Sequence, residues 1–350
     1  MENQEAPKLE ITSSRLFMSW LSSQNASLAF TTYQAGKLFL IGTKNDGSMS
    51  IFERTFNRSM GLSVAKGQLW LSSLYQLWKF QDFLEPGQLS DGYDALYVPV
   101  VGHTTGDIDI HDIHIKKDNN PVFVVTRFNC LATLSSKYSF EPVWRPHFID
   151  RIAAEDRCHL NGMAIEDDEP RYVTCAGHSN IAEGWRDHRE DGGLVIDVKT
   201  NDVVARGLSM PHSPRLYKDK LWILQAGTGE FGSIDKASGQ FEAVCFLPGF
   251  ARGLSFIGDY AVIGLSKPRY NKTFNGLLLN ERLESEGAEA KCAVYVVNLT
   301  TGDIEHMLDI EGVVEEIYDV AVIPDVKRPK ALGFKSDEIR FAVRPEEEIQ

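Results

Sequence analysis

A unit of up to 20 residues recurs along this chain, and its spacing limits the possible folds more than composition does. The clearest copy is CHLNGMAIEDDEPRYVTCAG, residues 158 to 177. It reads as a polar cluster with His159 and Asn161, a glycine, a short apolar run, an acidic turn, and a second run rich in β-formers. Related copies are NRSMGLSVAKGQLWLSS from Asn57, DIHDIHIKKDNNPVFVVT from Asp109, PHSPRLYKDKLWILQAG from Pro211, FARGLSFIGDYAVIGLS from Phe250 and the degenerate EEIYDVAVI from Glu315. Aligned, they put Gly61, Asp112, Gly162, Pro214, Gly253 and Asp319 in one column, at intervals of 51, 50, 52, 39 and 66 residues. The pairs that follow alternate as half-buried strands do. A period near 50 belongs to propeller blades rather than to helical solenoids.

Each interval holds about four short strands. In the first blade they fall near 60–65, 68–73, 76–80 and 96–100. The sixth column residue comes too late to supply a whole blade, while ASLAFTTY, KLFLIGT and SMSIFERT near the N-terminus have no blade of their own. Closing the ring joins them: a C-terminal innermost strand near 317–323 with three outer strands from 27–54, which leaves no exposed sheet edge between the ends. The expected fold class is therefore all-β, a six-bladed β-propeller closed by both termini. The expected organisation is one propeller domain over 21–345, an irregular tail at 1–20, and lid-like insertions at 178–193 and 266–291.

Composition narrows the partners. A net charge of −13 and no cluster of Lys and Arg argue against a nucleic-acid partner. No apolar run reaches the roughly 20 residues needed to span a bilayer, so no membrane partner is expected. The five cysteines are widely spaced and lie within or beside apolar strands, as buried thiols in a reducing compartment do. With no apolar leader in MENQEAPKLEITSS, the expectation is a cytoplasmic protein.

The segments TTYQAGKLFLIG, RFNCLATLSSKYSFEPVWRPHFI, HLNGMA, AEGWRDHREDGGLVIDV, GLSMPHSPRLY, GTGEFG, GDYAVIGLSKPR and EGVVEEIYDVAVIP resemble those of a functionally uncharacterised family of conserved hypothetical propeller proteins, some of which carry tetratricopeptide repeats. The resemblance spans about residues 20 to 340. It implies the fold and the boundaries, and no reaction.

In a propeller the innermost strands line a central channel, and the residues just before the aligned column meet at one mouth. These include Arg58, Asp109, His111, His159, Asn161, His212, Arg252, Glu316 and Tyr318. Imidazoles and carboxylates meeting from separate blades suit a divalent metal, zinc or similar, held by His159 and His212 with Asp109, His111 or Glu316 as the third ligand. His111, Glu316 and Tyr318 are then the candidates for moving a proton, and Arg58, Asn161, Trp185, Arg186 and Arg252 for holding an anionic substrate. Strand polarity places the loop of Trp185 and Arg186 over that same mouth. His114, two residues inside its strand, reads as a hydrogen-bonded core histidine. GTGEFG lacks the lysine and the following helix of a phosphate loop, and reads as a tight turn. HSPR at 212 lacks the elbow of a serine nucleophile. The expected function is a metal-assisted lyase or hydrolase acting on a small anionic molecule. The alternatives are a non-catalytic module binding a peptide or metabolite, and a scaffold for a protein partner.

Overall fold

Each recurring unit folds as the antiparallel pair that its alternation demands. In the copy that defines the repeat, Leu160–Glu166 pairs with Glu169–Cys175, with Met163 opposite Val173 and Glu166 opposite Glu169 across the acidic turn. The computed structural model describes residues 8–65, 67–268 and 276–345 and shows six such sheets arranged as a ring. Blade 1 is built from Leu62–Ala65, Gln68–Ser72, Gln76–Asp82 and Ala95–Thr104, and blade 2 from Ile110–Ile115, Pro121–Val125, Cys130–Thr133 and Glu141–Trp144. Blade 3 adds Gly193–Asp197 and Val203–Leu208 to the defining pair. Blade 4 is Pro211–Tyr217, Lys220–Gln225, Glu230–Ile234 and Phe241–Phe246, and blade 5 is Phe250–Ile257, Tyr260–Ser266, Ala293–Asn298 and Ile304–Glu311.

Blade 6 closes the ring. Its innermost strand Asp319–Pro324 pairs with Ala26–Thr32, with Asp319 opposite Thr31, and Lys37–Thr43 and Met49–Thr55 follow outward. The six-bladed propeller closed by both ends of the chain is thus the fold.

The N-terminal segment differs from the irregular tail expected for residues 1–20. Residues 1–7 lie outside the described residues, but Glu10–Ser13 joins the outer edge of blade 5 against Ile304–Glu311. The helix Phe17–Ser23 then buries Phe17, Trp20 and Leu21 among core residues that include Phe30, Phe39, Val262 and Val296. Spacing of i, i+3 and i+4 puts those three side chains on one helical face. At the other end, Pro329–Ala331 runs parallel to Ala95–Tyr97 on the edge of blade 1. Both additions cover sheet edges that would otherwise be open to pairing.

Where innermost strands crowd the axis, two column positions leave no room for a side chain. A Cβ on Gly162 would lie 2.6 Å from the Pro214 ring, and one on Gly253, whose φ is +72°, would lie 2.5 Å from the Val320 nitrogen. Neighbouring blades are also latched by hydroxyls at the ends of second strands. Thr31 donates to the Met60 carbonyl (2.6 Å), Ser72 to Ile110 (3.0 Å), Thr126 to Leu160 (2.6 Å) and Ser266 to Ile317 (2.9 Å). Among the described residues, no helix is long and apolar enough to cross a membrane.

Candidate functional site at the channel mouth

The innermost strands begin at the upper face of the ring, and the chain reaches them in an unusual conformation. Arg58, Asp109 and His159 have φ of +56°, +60° and +50° just before the strands of blades 1, 2 and 3. This left-handed conformation costs a non-glycine residue roughly 1 to 3 kcal/mol, and such strain gathers at functional sites. Here it turns each residue's side chain out of the ladder at the rim.

His159 donates from Nδ1 to the Asp156 carboxylate at 2.9 Å, and the same Oδ2 accepts the Trp185 indole N–H at 2.9 Å. The Trp185 ring stacks on the His159 ring with centroids 4.2 Å apart, and His111 meets His159 edge-on at 5.1 Å. Burial pushes the Asp156 carboxyl up, but the adjacent His159 and His111, with the bonds from His159 and Trp185, hold it below the usual range. The loop at 178–193 therefore brings Trp185 over the histidines, as strand polarity predicts. Leu279 and Leu283 of the helix Leu278–Ser285 pack with Trp185, Met210 and Phe250, so the second insertion covers the same face. Its residues 269–275 lie outside the described residues.

Beneath this roof lies a chamber of about 10 Å³, room for a single water. His111, His212, Arg252 and Tyr318 line its upper part, and Asp112, Arg215 and Asp319 its floor. His111 and His212 each donate Nδ1–H to a backbone carbonyl, Asp109 at 3.0 Å and Met210 at 2.7 Å, which leaves both Nε2 atoms with lone pairs. Burial lowers the His111 pKa to about 3, with Arg252 and His159 adding to the effect against Asp109. His212 is driven well below its usual value by burial and then by Arg252. Burial likewise raises Tyr318 and lowers Arg252. The Arg252 guanidinium lies over the rings of Phe250 at 5.1 Å and Tyr318 at 5.0 Å, and has no salt bridge among the described residues.

The floor is a plug. Arg215 donates to both oxygens of Asp112 (2.7 and 3.1 Å) and to the carbonyls of Met163, Pro214 and Leu254. Asp112 also accepts from the backbone of Met163, and Asp319 from that of Leu62, each tying one blade to the next. Desolvation, followed by the Asp112 charge, raises the Asp319 pKa to about 7. Below the plug a vestibule of about 190 Å³ opens to the opposite face.

Several residues marked by the sequence have other duties. Asn161 donates to the Pro211 carbonyl and accepts from Thr174, so both ends of its amide serve the joint between blades 3 and 4. Glu316 accepts the Gln34 N–H at 2.8 Å and steadies the turn between the second and third strands of blade 6. Arg58 is bound to Asp107 at 3.0 Å and to Asp109, which occupies the carboxylate named as a metal ligand. Arg186 stacks on Trp185 at 4.5 Å and pairs with Glu183 at 3.0 Å, outside the chamber. His114 bonds to Asp168 at 3.1 Å, away from the mouth. Asp156 escaped the sequence reading; the signal was an acid three residues before a column histidine, DRCH. Among the described residues, no group of three or more His, Cys, Asp or Glu is placed to hold a metal ion.

Residues 15–332 match the family described as a domain of unknown function, DUF4915. The chain belongs to that family. No curated protein matches the sequence. Among solved structures, one titled for a nidogen/laminin complex aligns at a TM-score of 0.54 and 8% identity, over 86% of this chain and 99% of that one. A protein of unknown function from Bacteroides caccae aligns at 0.52 and 11%, over 85% and 98%. A catalytically inactive virginiamycin B lyase from Staphylococcus aureus, with quinupristin, aligns at 0.42 and 10%, over 86% and 99%. At these identities the first two likenesses speak for the fold alone.

Proposed function

We propose that this DUF4915 propeller is a proton-transfer enzyme of lyase or hydrolase type, acting on a small anionic molecule at the upper mouth. The observation that carries the reading is the Asp156–His159 pair standing beside a chamber whose upper cation, Arg252, has no salt bridge among the described residues. Asp156 fixes the His159 tautomer and leaves Nε2 to take a proton from the substrate, while the Trp185 ring covers one face of the imidazole. Arg252 binds the anionic group, and Tyr318, held in its protonated form, supplies a proton to developing negative charge. The cell setting in this reading is reducing and cytoplasmic, which suits five free cysteines.

Metal assistance is a second proposal. It rests on the Nε2 lone pairs of His111 and His212, whose Nδ1 protons are held as metal-binding imidazoles require. Against it stands the Arg252 charge in the same chamber, and elemental analysis of protein purified without chelator measures it directly.

The enzyme reading is tested with a panel of small anionic lactones, esters and hydroxy acids, followed by NMR. Turnover is expected, with kcat/KM lower by about 100-fold or more in His159→Asn and in Asp156→Asn. Binding without turnover across the panel would replace the enzyme by a binding module.

A further inference from the structure

The chain fills the wedge between two of its blades with a helix of its own, and leaves the matching wedge elsewhere in the ring open. The helix Phe17–Ser23 leads into Ala26–Thr32, the second strand of blade 6. It packs against that strand, its neighbour Lys37–Thr43, and Ile304–Glu311 of blade 5. Phe17, Trp20 and Leu21 are seated there, while Glu10–Ser13 pairs with the edge of blade 5. The matching place between blades 2 and 3 holds a cavity of about 480 Å³. Pro170, at the start of the second strand of blade 3, forms one wall. Val122, Leu131, Val143 and Trp144, from the three outer strands of blade 2, form the other. The edge strand Glu141–Trp144 has no partner beyond Cys130–Thr133 among the described residues.

The filled wedge shows what shape suits such a place: a short helix whose apolar side chains stand at i, i+3 and i+4. The rim of the open one sets the charge of its occupant. Lys116 is spent on Glu169. Asp118, at the cavity wall, accepts from Asn120 and has no ion pair among the described residues. Glu141, opposite Thr133 of the cavity lining, is exposed and likewise has none among the described residues.

We propose that the groove between blades 2 and 3 docks a short amphipathic helix of a partner protein, with aromatic and aliphatic anchors at i, i+3 and i+4 and lysine or arginine on its flanks. An apolar helix face laid into a groove through such anchors is a recurrent mode of recognition. The two carboxylates at the rim draw in the basic flanks and oppose acidic ones. The site lies away from the channel mouth and does not depend on the reaction proposed there.

The test is a titration, by calorimetry and by NMR, of a synthetic peptide carrying residues 14–23 of this chain, SRLFMSWLSS, between lysine pairs. The wild-type protein is expected to bind it with a Kd of about 100 μM or tighter. The shifted signals should include those of Val122, Leu131 and Trp144, a readout that needs no variant of the protein. Val143 is 52% exposed, so Val143→Asp tests contact rather than folding, and it should weaken binding at least about tenfold. Asp118→Lys should weaken it about threefold at low salt and less at high salt. The same peptide with Phe17→Ala and Trp20→Ala should not bind. No binding, shifts confined to blades 5 and 6, or equal affinity in the wild type and Val143→Asp overturns the proposal. Self-association of the wild type that Val143→Asp abolishes also overturns it, because a second copy of this chain would then be the occupant.

Discussion

Arg215 and Arg252 stand on neighbouring innermost strands of one channel, a few residues apart in depth, and the fold treats them in opposite ways. Arg215 spends its donors on both Asp112 oxygens and three backbone carbonyls. Arg252 faces two aromatic rings, with its Nε unpartnered among the described residues. A saturated cation in an interior is a strut, because its desolvation is offset where it stands. An unsaturated one keeps an interaction in reserve for something that arrives. The contrast separates the structural part of the axis from its functional part without appeal to any relative.

The largest expected effect breaks the strut. Arg215→Met leaves the Asp112 carboxylate, 6% exposed, without its counter-charge. It should cost about 3 kcal/mol, the low end for a broken buried pair, since the vestibule gives water some access. Arg252→Met breaks no ion pair and should leave stability within about 1 kcal/mol of wild type while abolishing anion binding. Urea unfolding of the two variants measures the difference. Equal losses would erase the distinction between the arginines.

Acid should expose the same division. An unfolded histidine titrates near 6.5, whereas His111 and His212 stay neutral in the fold to much lower pH. Their folded pKa values are depressed, so their contribution is whole above about 6.5 and declines as pH falls, by about 1.4 kcal/mol per pH unit for each. Asp319 works the other way. Its folded pKa is raised to about 7, so its contribution is whole below the unfolded carboxylate range and is lost as pH rises through 7. Between pH 6.5 and 5 two histidines outweigh one carboxyl, and stability should fall by about 2 kcal/mol net. His111→Gln should flatten that slope. An unchanged slope in the variant would mean that His111 is not held neutral by burial.

The ring was legible in the sequence because every blade repeats one hairpin, and alternation reports strands that are buried on one face. Closure was legible for a related reason: three unassigned strands and one surplus innermost strand have a single economical partner. The edge additions were not. Pro329–Ala331 is too short for any periodicity, and the helix Phe17–Ser23 shows its apolar face over barely two turns. At the mouth, the alignment singled out His111, His159, His212, Arg252 and Tyr318, and the fold brings their side chains together. It could not tell a free group from a committed one. Asn161, Glu316 and Arg58 also stand at the rim, yet they are bound to Pro211, Gln34 and Asp107. Such pairings join residues 49 to 282 positions apart in the chain, and repeat spacing carries no record of them.

The smallest expected effect sharpens the comparison from outside the chamber. Arg186 also lies over an aromatic ring, that of Trp185 at 4.5 Å, but it pairs with Glu183, whose side chain is 63% exposed. Strand polarity alone makes Arg186 an anion clamp; the geometry instead puts the buried Trp185 ring between it and His159. A solvent-facing ion pair and an exposed cation–π contact are each worth about 0.5 kcal/mol, so Arg186→Ala should shift stability by about 1 kcal/mol or less. Affinity of the Arg186→Ala variant for a small anionic ligand should change less than about threefold, in contrast to the loss expected in Arg252→Gln, because Arg186 does not line the chamber. Parallel titrations of the two variants decide the matter. A loss of affinity in Arg186→Ala as large as that in Arg252→Gln would move the anion to the outer side of Trp185 and make the unpartnered atoms beneath it a water site.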